Sequence, residues 1–477
     1  MTAFSSSFLL AGPEAILAVS ALALLVWGAF AHRAGTAFVG AASACLLVAA
    51  VDAVLGPHGR AFGGALIIDP AAIFSKVVIY VASAAAIPLG QRWFVRRGIE
   101  RFEYAVLVVL AALGMGMMVA AGDLISLYVS LELQSLALYV LAAFRRDDAR
   151  SSEAGLKYFV LGALSSGLLL YGASLIYGFS GSTEFGAIAK AAGAGAGTGV
   201  LFGLVFLICG LGFKVSAAPF HMWTPDVYEG APTPIVGFFA GAPKLAAMVL
   251  LARILVEAFG GAAHQWRQVL IAMALISVAV GAFAGLAQRN LKRLWAYSSI
   301  ANIGYALVGL AAGGGAGVQS VLLFMVLYVV DVTGFFACLA ALSREGRSLE
   351  TFDDFAGLMR ERPGLTLAMT AFCLSAIGLP PFSGFWGKVF VFQAAIAAGL
   401  APAAVIALVG SVVAAFYYLR LIRVMWLDPT PGAIDTPPRE AVAVTYASAL
   451  FAFPAVMVAL VALYPWARAA ADSLTPR

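Results

Sequence analysis

Long apolar runs, separated by short polar connections, follow one another along nearly the whole chain. An α-helix rises about 1.5 Å per residue, so about 20 apolar residues cross a hydrocarbon core of about 30 Å. On that measure the pattern predicts fourteen helical spans, at roughly 9–30, 36–56, 67–89, 103–121, 124–144, 153–178, 199–218, 236–259, 267–287, 294–312, 318–342, 364–398, 402–427 and 441–465. The twelfth run is too long for one straight crossing and must break or bend. Prolines mark where: Ala218-Pro219-Phe220-His221 interrupts the seventh run, and Gly378-Leu379-Pro380-Pro381-Phe382-Ser383-Gly384 the twelfth. Proline removes a backbone donor and leaves carbonyls without their helical partners.

Composition agrees. Of 477 residues 62% are hydrophobic and 11% charged, which excludes a soluble globule and leaves an all-α polytopic membrane protein whose surroundings are a lipid bilayer. The formal charge of +5 is spread over many short connections, so no nucleic-acid footprint forms. Cys45, Cys209, Cys338 and Cys373 lie in apolar runs without ligand spacing and read as packing residues. The first run has no basic segment ahead of it and reads as a retained span.

Connections after odd-numbered spans hold 18 basic residues, from Arg33 to Arg439, whereas those after even-numbered spans hold Arg60, Lys190 and Arg267. That bias places the odd connections in the cytoplasm and both termini outside. Residues 191–199 are low-complexity and read as a flexible outer loop. Residues 348–363, with Phe352, Phe355, Leu358 and Met359 at helical spacing, read as a short surface helix that packs rather than reacts.

The charges left inside the spans carry the candidate chemistry. Five of seven lysines, Lys76, Lys157, Lys214, Lys244 and Lys388, fall in predicted spans, while arginines concentrate in connections. A guanidinium stays charged everywhere, but a desolvated amine can release its proton, so buried lysines can hold and pass protons. Glu132, mid-span in the fifth run, needs a cation, and Lys214 is its expected partner; a static salt bridge that fixes helix packing is the competing reading. Lys157 lies near a span end and can snorkel to the surface. Lys76 has Asp69 two turns away on one face. Each proline break is expected to be wet, because unbonded carbonyls at membrane depth need protein or a hydrated cavity. His221 at the first break either relays protons or caps free carbonyls.

PFHMW in the seventh span and PFSGFW in the twelfth lie five spans apart, and an odd offset inverts the second copy. The predicted organisation is therefore a three-helix segment at 1–102, inverted five-helix repeats at 103–262 and 263–428, and a last helix at 429–477. Glu132 has no obvious counterpart in the second half, where Asp331 is the nearest acidic candidate. No stretch has the spacing of a redox-centre, nucleotide or metal site.

Four motifs, GFKVSAAPFHMWTPDVYEGAPTP from Gly212, the following GAPKLAAM, AYSSIANIGY from Ala296 and LSAIGLPPFSGFWGKVFVF from Leu374, resemble the subunit N family of bacterial proton-translocating NADH-quinone oxidoreductase, respiratory complex I. The likeness runs from about residue 100 to 425. The wider family includes the L and M subunits and cation/proton antiporter subunits of Mrp type. The resemblance implies a fourteen-helix core with two inverted five-helix repeats and broken helices seven and twelve.

It also implies residue roles. Glu132 is similar to the family's helix-five glutamate and Lys214 to the helix-seven lysine paired with it. Lys244 resembles the connecting residue of helix eight, Lys388 the helix-twelve lysine, and Lys157 and His221 positions along the same polar axis. Only about a dozen residues follow the last span, too few for the lateral helix of an L subunit. The implied activity is proton translocation in the bacterial inner membrane, beside neighbouring antiporter-like and small membrane subunits of the complex. NADH, FMN, iron-sulfur clusters and quinone would be held by partner subunits, with no cofactor on this chain. The alternative is a subunit of a Mrp-type antiporter or of a related membrane-bound hydrogenase.

Overall fold

The computed structural model describes residues 7–31, 35–193 and 197–475. Twelve of its helices are long and apolar enough to cross a membrane, and two shorter apolar helices, Glu103–Val119 and Pro363–Ile377, fill the fourth and twelfth places. All fourteen expected spans are thus present. The first three are Gly12–Ala31, Thr36–Leu55 and Pro70–Arg96, followed by Glu103–Val119, Leu124–Ala142, Ala149–Ser180 and Thr198–Val215 as spans four to seven. Spans eight to eleven are Thr233–Ala258, Gly260–Leu286, Leu291–Ala312 and Gly314–Ala341; Pro363–Ile377, Ala401–Leu427 and Arg439–Leu474 complete the set.

Local chemistry sets the helix starts. Asp69, Asp123 and Asn290 stand just before spans three, five and ten and accept from the first free backbone N–H groups, Asp123 at 2.8 and 2.7 Å from Ile125 and Ser126. Such caps satisfy donors that a helix start otherwise leaves unpaired.

The connections sort by parity. Those after spans two, four and six meet through bridges between Leu66 and Ala121 and between Asp123 and Glu184, while those after spans nine and eleven meet through Asn290 and Thr351. Arg96, Arg97, Arg145, Arg150 and Arg347, all from odd connections or their edges, line one cavity. Arg33 lies outside the described residues.

Burial ranks the spans. In its most apolar window span eight is wholly buried and span ten 94% buried, against 28% for the first span and 22% for the last. A helix apolar on all sides belongs in the interior, and spans eight, ten and eleven form that inner column.

Four sequence expectations need correction. Residues 348–363 do not form one surface helix: a 3-10 turn, Phe352–Phe355, and a single α-turn, Leu358–Glu361, are separated by Gly357 at φ 65°. There the backbone must fit against the 428–430 stretch, since a Cβ on Gly357 would lie 2.7 Å from the Thr430 nitrogen. Within the 191–199 loop, residues 191–193 end a short helix, Phe185–Gly193, and Thr198 begins span seven; residues 194–196 lie outside the described residues. Span eight, read as continuous, breaks at Gly241 (φ −101°, ψ −97°) into Thr233–Ala240 and Ala242–Arg253. Span fourteen is kinked at Phe453 and Pro454, where proline cannot continue the ladder.

Candidate functional site

Span seven ends at Val215, where Ser216 turns left-handed at φ 67°, and the chain resumes as the short helix Trp223–Gly230. The break is closed by protein donors. The N–H of Ala217 reaches the Gly212 carbonyl at 2.8 Å, the Trp223 indole the Phe213 carbonyl at 3.0 Å, and the Ala218 N–H donates to Ser277 Oγ at 2.8 Å. His221 lies within the break, its side chain beside the Pro219 carbonyl. It is half-buried, and its Nδ1 has no hydrogen-bond partner among the described residues.

Lys214 lies one residue inside the break, buried, and its amine donates to Ser135 Oγ at 2.7 Å and Tyr139 OH at 3.2 Å on span five. The expected direct pair with Glu132 is not formed. Glu132 is half-buried one turn before Ser135 and accepts instead from Ser166 Oγ on span six. Physically, a serine hydroxyl has been placed against each charge, which holds both without joining them.

From Tyr139 an aromatic series leads inward. Tyr139 and Tyr158 meet edge-on at 4.8 Å, Tyr158 stacks on Trp223 at 4.3 Å, and Trp223 approaches Tyr228 at 6.5 Å. Tyr228 faces the amine of Lys244, 5.3 Å from its ring centroid. Lys244 sits one turn beyond the Gly241 break, almost fully buried, and donates to Ser299 Oγ on span ten at 2.5 Å. Ser299 in turn pairs with Tyr328 OH on span eleven at 2.7 Å. Trp223–Gly230 and span ten thus meet this amine, with span eleven behind Ser299.

Tyr328 borders a cavity of about 30 Å³, lined also by Ser298, Asn302, Asp331, Ser375 and Gly384. That is room for a water molecule among polar groups able to hold it. Asp331 accepts from Ser375 Oγ at 2.5 Å and Ser383 Oγ at 2.8 Å, one hydroxyl from each side of the twelfth-span break. Beyond the break, on Ser383–Ala397, Lys388 donates to the carbonyls of Ala376 and Ile377 at 2.8 and 2.9 Å and to Ser411 Oγ at 2.6 Å. Its amine lies 4.8 Å from the Tyr305 ring centroid. The carbonyls freed by the break are therefore met by the lysine itself, where the sequence suggested water.

Two lysines lie apart from this line. Lys157 stands in an ion network at a span end, 2.7 Å from Glu153 and 2.8 Å from Asp226, which also takes Arg293 at 2.6 Å. Its side chain is 42% exposed, the geometry of a lysine that snorkels to the surface. Lys76 is fully buried and pairs with Glu14 on span one at 2.5 Å, not with Asp69. Asp69 instead takes Arg253 at 2.8 Å, a buried arginine in span eight that also binds Glu257 at 2.7 Å. Sequence reading missed Ser135, Tyr139, Ser299, Tyr328 and Ser411. Serine and tyrosine in apolar helices are common, and only the fold shows which of them face an amine.

Residues 121–414 match the family model described as NADH:quinone oxidoreductase/Mrp antiporter, TM. NADH-quinone oxidoreductase subunit N of Caulobacter sp. (strain K31) is 68% identical, over 98% of each chain. A chain of respiratory complex I from Thermus thermophilus superposes with a TM-score of 0.82 at 35% identity, covering 94% of this chain and 98% of that one. A chain of the membrane-bound sulfane sulfur reductase, an archaeal respiratory membrane complex, gives 0.86 at 27% identity, covering 97% and 96%. Identity thus falls well below the subunit N level in the complex of different name, although the fold is equally close. On this evidence the chain belongs to the subunit N family of NADH-quinone oxidoreductase, within the NADH:quinone oxidoreductase/Mrp antiporter group of membrane proteins.

Proposed function

We propose that Glu132, Lys214, Lys244 and Lys388 are the protonic line of this membrane-arm subunit, with Asp331 as the acidic group of the second half. One observation carries the reading. Lys214, Lys244 and Lys388 are buried, yet each amine is hydrogen-bonded to neutral oxygen, hydroxyl or carbonyl, with no carboxylate within ion-pair distance among the described residues. Lys76 and Arg253, equally buried, are each held by a carboxylate. A cation locked to its anion has a fixed charge, whereas an amine on a hydroxyl can gain or lose a proton as neighbouring charges change. Glu132 and Asp331, held by serines, are the neighbouring charges.

In this reading Ser299 and Tyr328 connect Lys244 to the cavity beside Asp331, and Lys388 at the second break is the far end. His221 is a relay beside the first break, and Lys157 lies at the margin, in the ion network. The line divides between repeats at 103–262 and 263–428, with Lys244 near their junction. Moving a unit charge against 100 mV costs about 2.3 kcal/mol, and the energy would come from NADH-to-quinone electron transfer through FMN and iron-sulfur clusters in partner subunits. Termini on the periplasmic side of the inner membrane complete the proposal, supported by the arginine bias.

The test is Lys244→Met in the assembled complex, with proton pumping and NADH:quinone turnover measured together. Pumping is expected to fall at least several-fold while assembly stays intact. Wild-type pumping per electron would remove Lys244 from the line.

A further inference from the structure

At the arginine-rich end of the bundle, spans four, five and six leave a groove of about 580 Å³ that reaches the candidate site only at its inner end. Its walls are Leu107, Val140, Phe144, Leu156 and Phe159, and its floor is where Ala143 meets Gly155. A Cβ on Gly155 would lie 2.4 Å from that of Ala143, so the two helices touch at the floor. Val140, Leu156 and Phe159 are about half exposed or more. Arg101 and Arg146 stand at the mouth, with Glu103 the one carboxylate in the lining. The inner end is Tyr139, the residue whose hydroxyl accepts from Lys214.

We propose that this groove binds one anionic phospholipid, its phosphate between Arg101 and Arg146 and the upper part of an acyl chain against Val140, Leu156 and Phe159. The order of surfaces argues for that occupant. Two guanidiniums suited to phosphate oxygens lie at the surface end, and an apolar trough follows them toward the membrane interior. Basic pockets between membrane helices take lipid headgroups by the same logic. Tyr139 lies less than one turn inside the end of span five at Ala142, and Arg146 stands in the connection beyond that end. A molecule with a charged head and an apolar body fits this short descent from the surface. Arg97, packed on the Trp93 ring at 3.8 Å, and Arg145 continue the basic surface beside the mouth, where Asp148 lies 2.9 Å from Arg145 and the exposed Asp147 3.7 Å from Arg146. Lipid in the groove would touch Tyr139, and so the environment of Lys214, from outside the bundle.

The experiment uses the whole complex, purified in detergent and examined by native mass spectrometry after exchange into phosphatidylglycerol, phosphatidylcholine, or lipid-free buffer containing inorganic phosphate. Wild type is expected to retain one more phosphatidylglycerol than Arg101→Gln/Arg146→Gln. With each basic residue contributing as it does at an anionic surface, the double variant should bind it about thirty-fold more weakly. Arg101→Lys/Arg146→Lys, which keeps the charge, should retain it, and Ala143→Phe, which fills the trough, should lose it with both arginines in place. Equal retention by wild type and the glutamine variant, equal retention of phosphatidylcholine, protection by phosphate alone, or a partner helix seated in the groove would each overturn the assignment.

Discussion

The amine of Lys388 lies 2.9 Å from the carbonyl oxygen of Ile377, the last residue of Pro363–Ile377 before the twelfth span breaks. The next residue, Gly378, makes that approach possible. It sits at φ 88°, and a Cβ there would fall 2.9 Å from Lys388 Cδ and 3.2 Å from Nζ. Gly378→Ala is therefore expected to displace the amine as well as strain the backbone, by about 1–2 kcal/mol. Pumping by the assembled complex should fall although no charged group has been removed; if it stays at wild type, the position of this amine is unimportant.

Glu132 and Lys214 are held by different serines, so their mutual energy should be small. A double-mutant cycle with Glu132→Gln and Lys214→Met, read by thermal unfolding of the assembled complex, is expected to give a coupling of about 1 kcal/mol or less. Breaking a buried ion pair in direct contact costs about 3–5 kcal/mol. A coupling in that upper range would restore the direct pair and remove the argument from separated charges.

Lys76 and Glu14 should behave in the opposite way. Each is buried and the amine meets the carboxylate at 2.5 Å. Glu14→Gln alone should lower stability by about 3–5 kcal/mol by leaving a charge without its partner, and Lys76→Met with Glu14→Leu should recover most of it. Additive losses in the double variant, measured as unfolding midpoints, would contradict a closed pair. Pumping per electron should be unchanged in the double variant, which separates a packing charge from a working one.

Asp435 ties the loop after span thirteen to the hairpin Ser343–Arg344/Arg347–Ser348. It accepts from the Gly346 N–H at 3.0 Å, Ser343 Oγ at 2.8 Å and the Glu345 N–H at 3.2 Å. These donors, the Gly346 amide first, hold its pKa below the ordinary carboxylate value. A depressed folded pKa gives stability that is present above the unfolded value, near 3.9, and lost as pH falls through the folded one. Hydrogen-exchange protection of Glu345 and Gly346 should thus hold from neutral pH to about 5 and decline below about 4. In Asp435→Asn that pH dependence should disappear.

Much of this was legible in the sequence because lipid imposes a simple code. All fourteen spans and both proline breaks follow from run length and from Pro219, Pro380 and Pro381. Lys214, Lys244 and Lys388 stand out for the same reason, since an amine in an apolar run is costly and therefore visible. Their partners were not legible. Lys76 had Asp69 near it along one helix face, but Glu14 reaches it from span one, and Asp69 serves Arg253 from span eight. Spacing along a helix reports neighbours in sequence, while pairs between helices depend on rotation and depth, which no local pattern records. Gly241 shows the same limit: a glycine in an apolar helix is ordinary, and only its backbone angles mark a break.

Span eight is enclosed on every side by helices of its own chain, so the setting of Lys244 owes nothing to whatever flanks the subunit. Glu132, by contrast, shares a face of span five with the exposed side chains of Val129 and Leu136, and its surroundings change with the company the chain keeps. The molecule thus has a private middle and a negotiable edge. A neighbour on that outer face of span five meets the rim carboxylate directly, while the sheltered amine lies behind other helices of the chain.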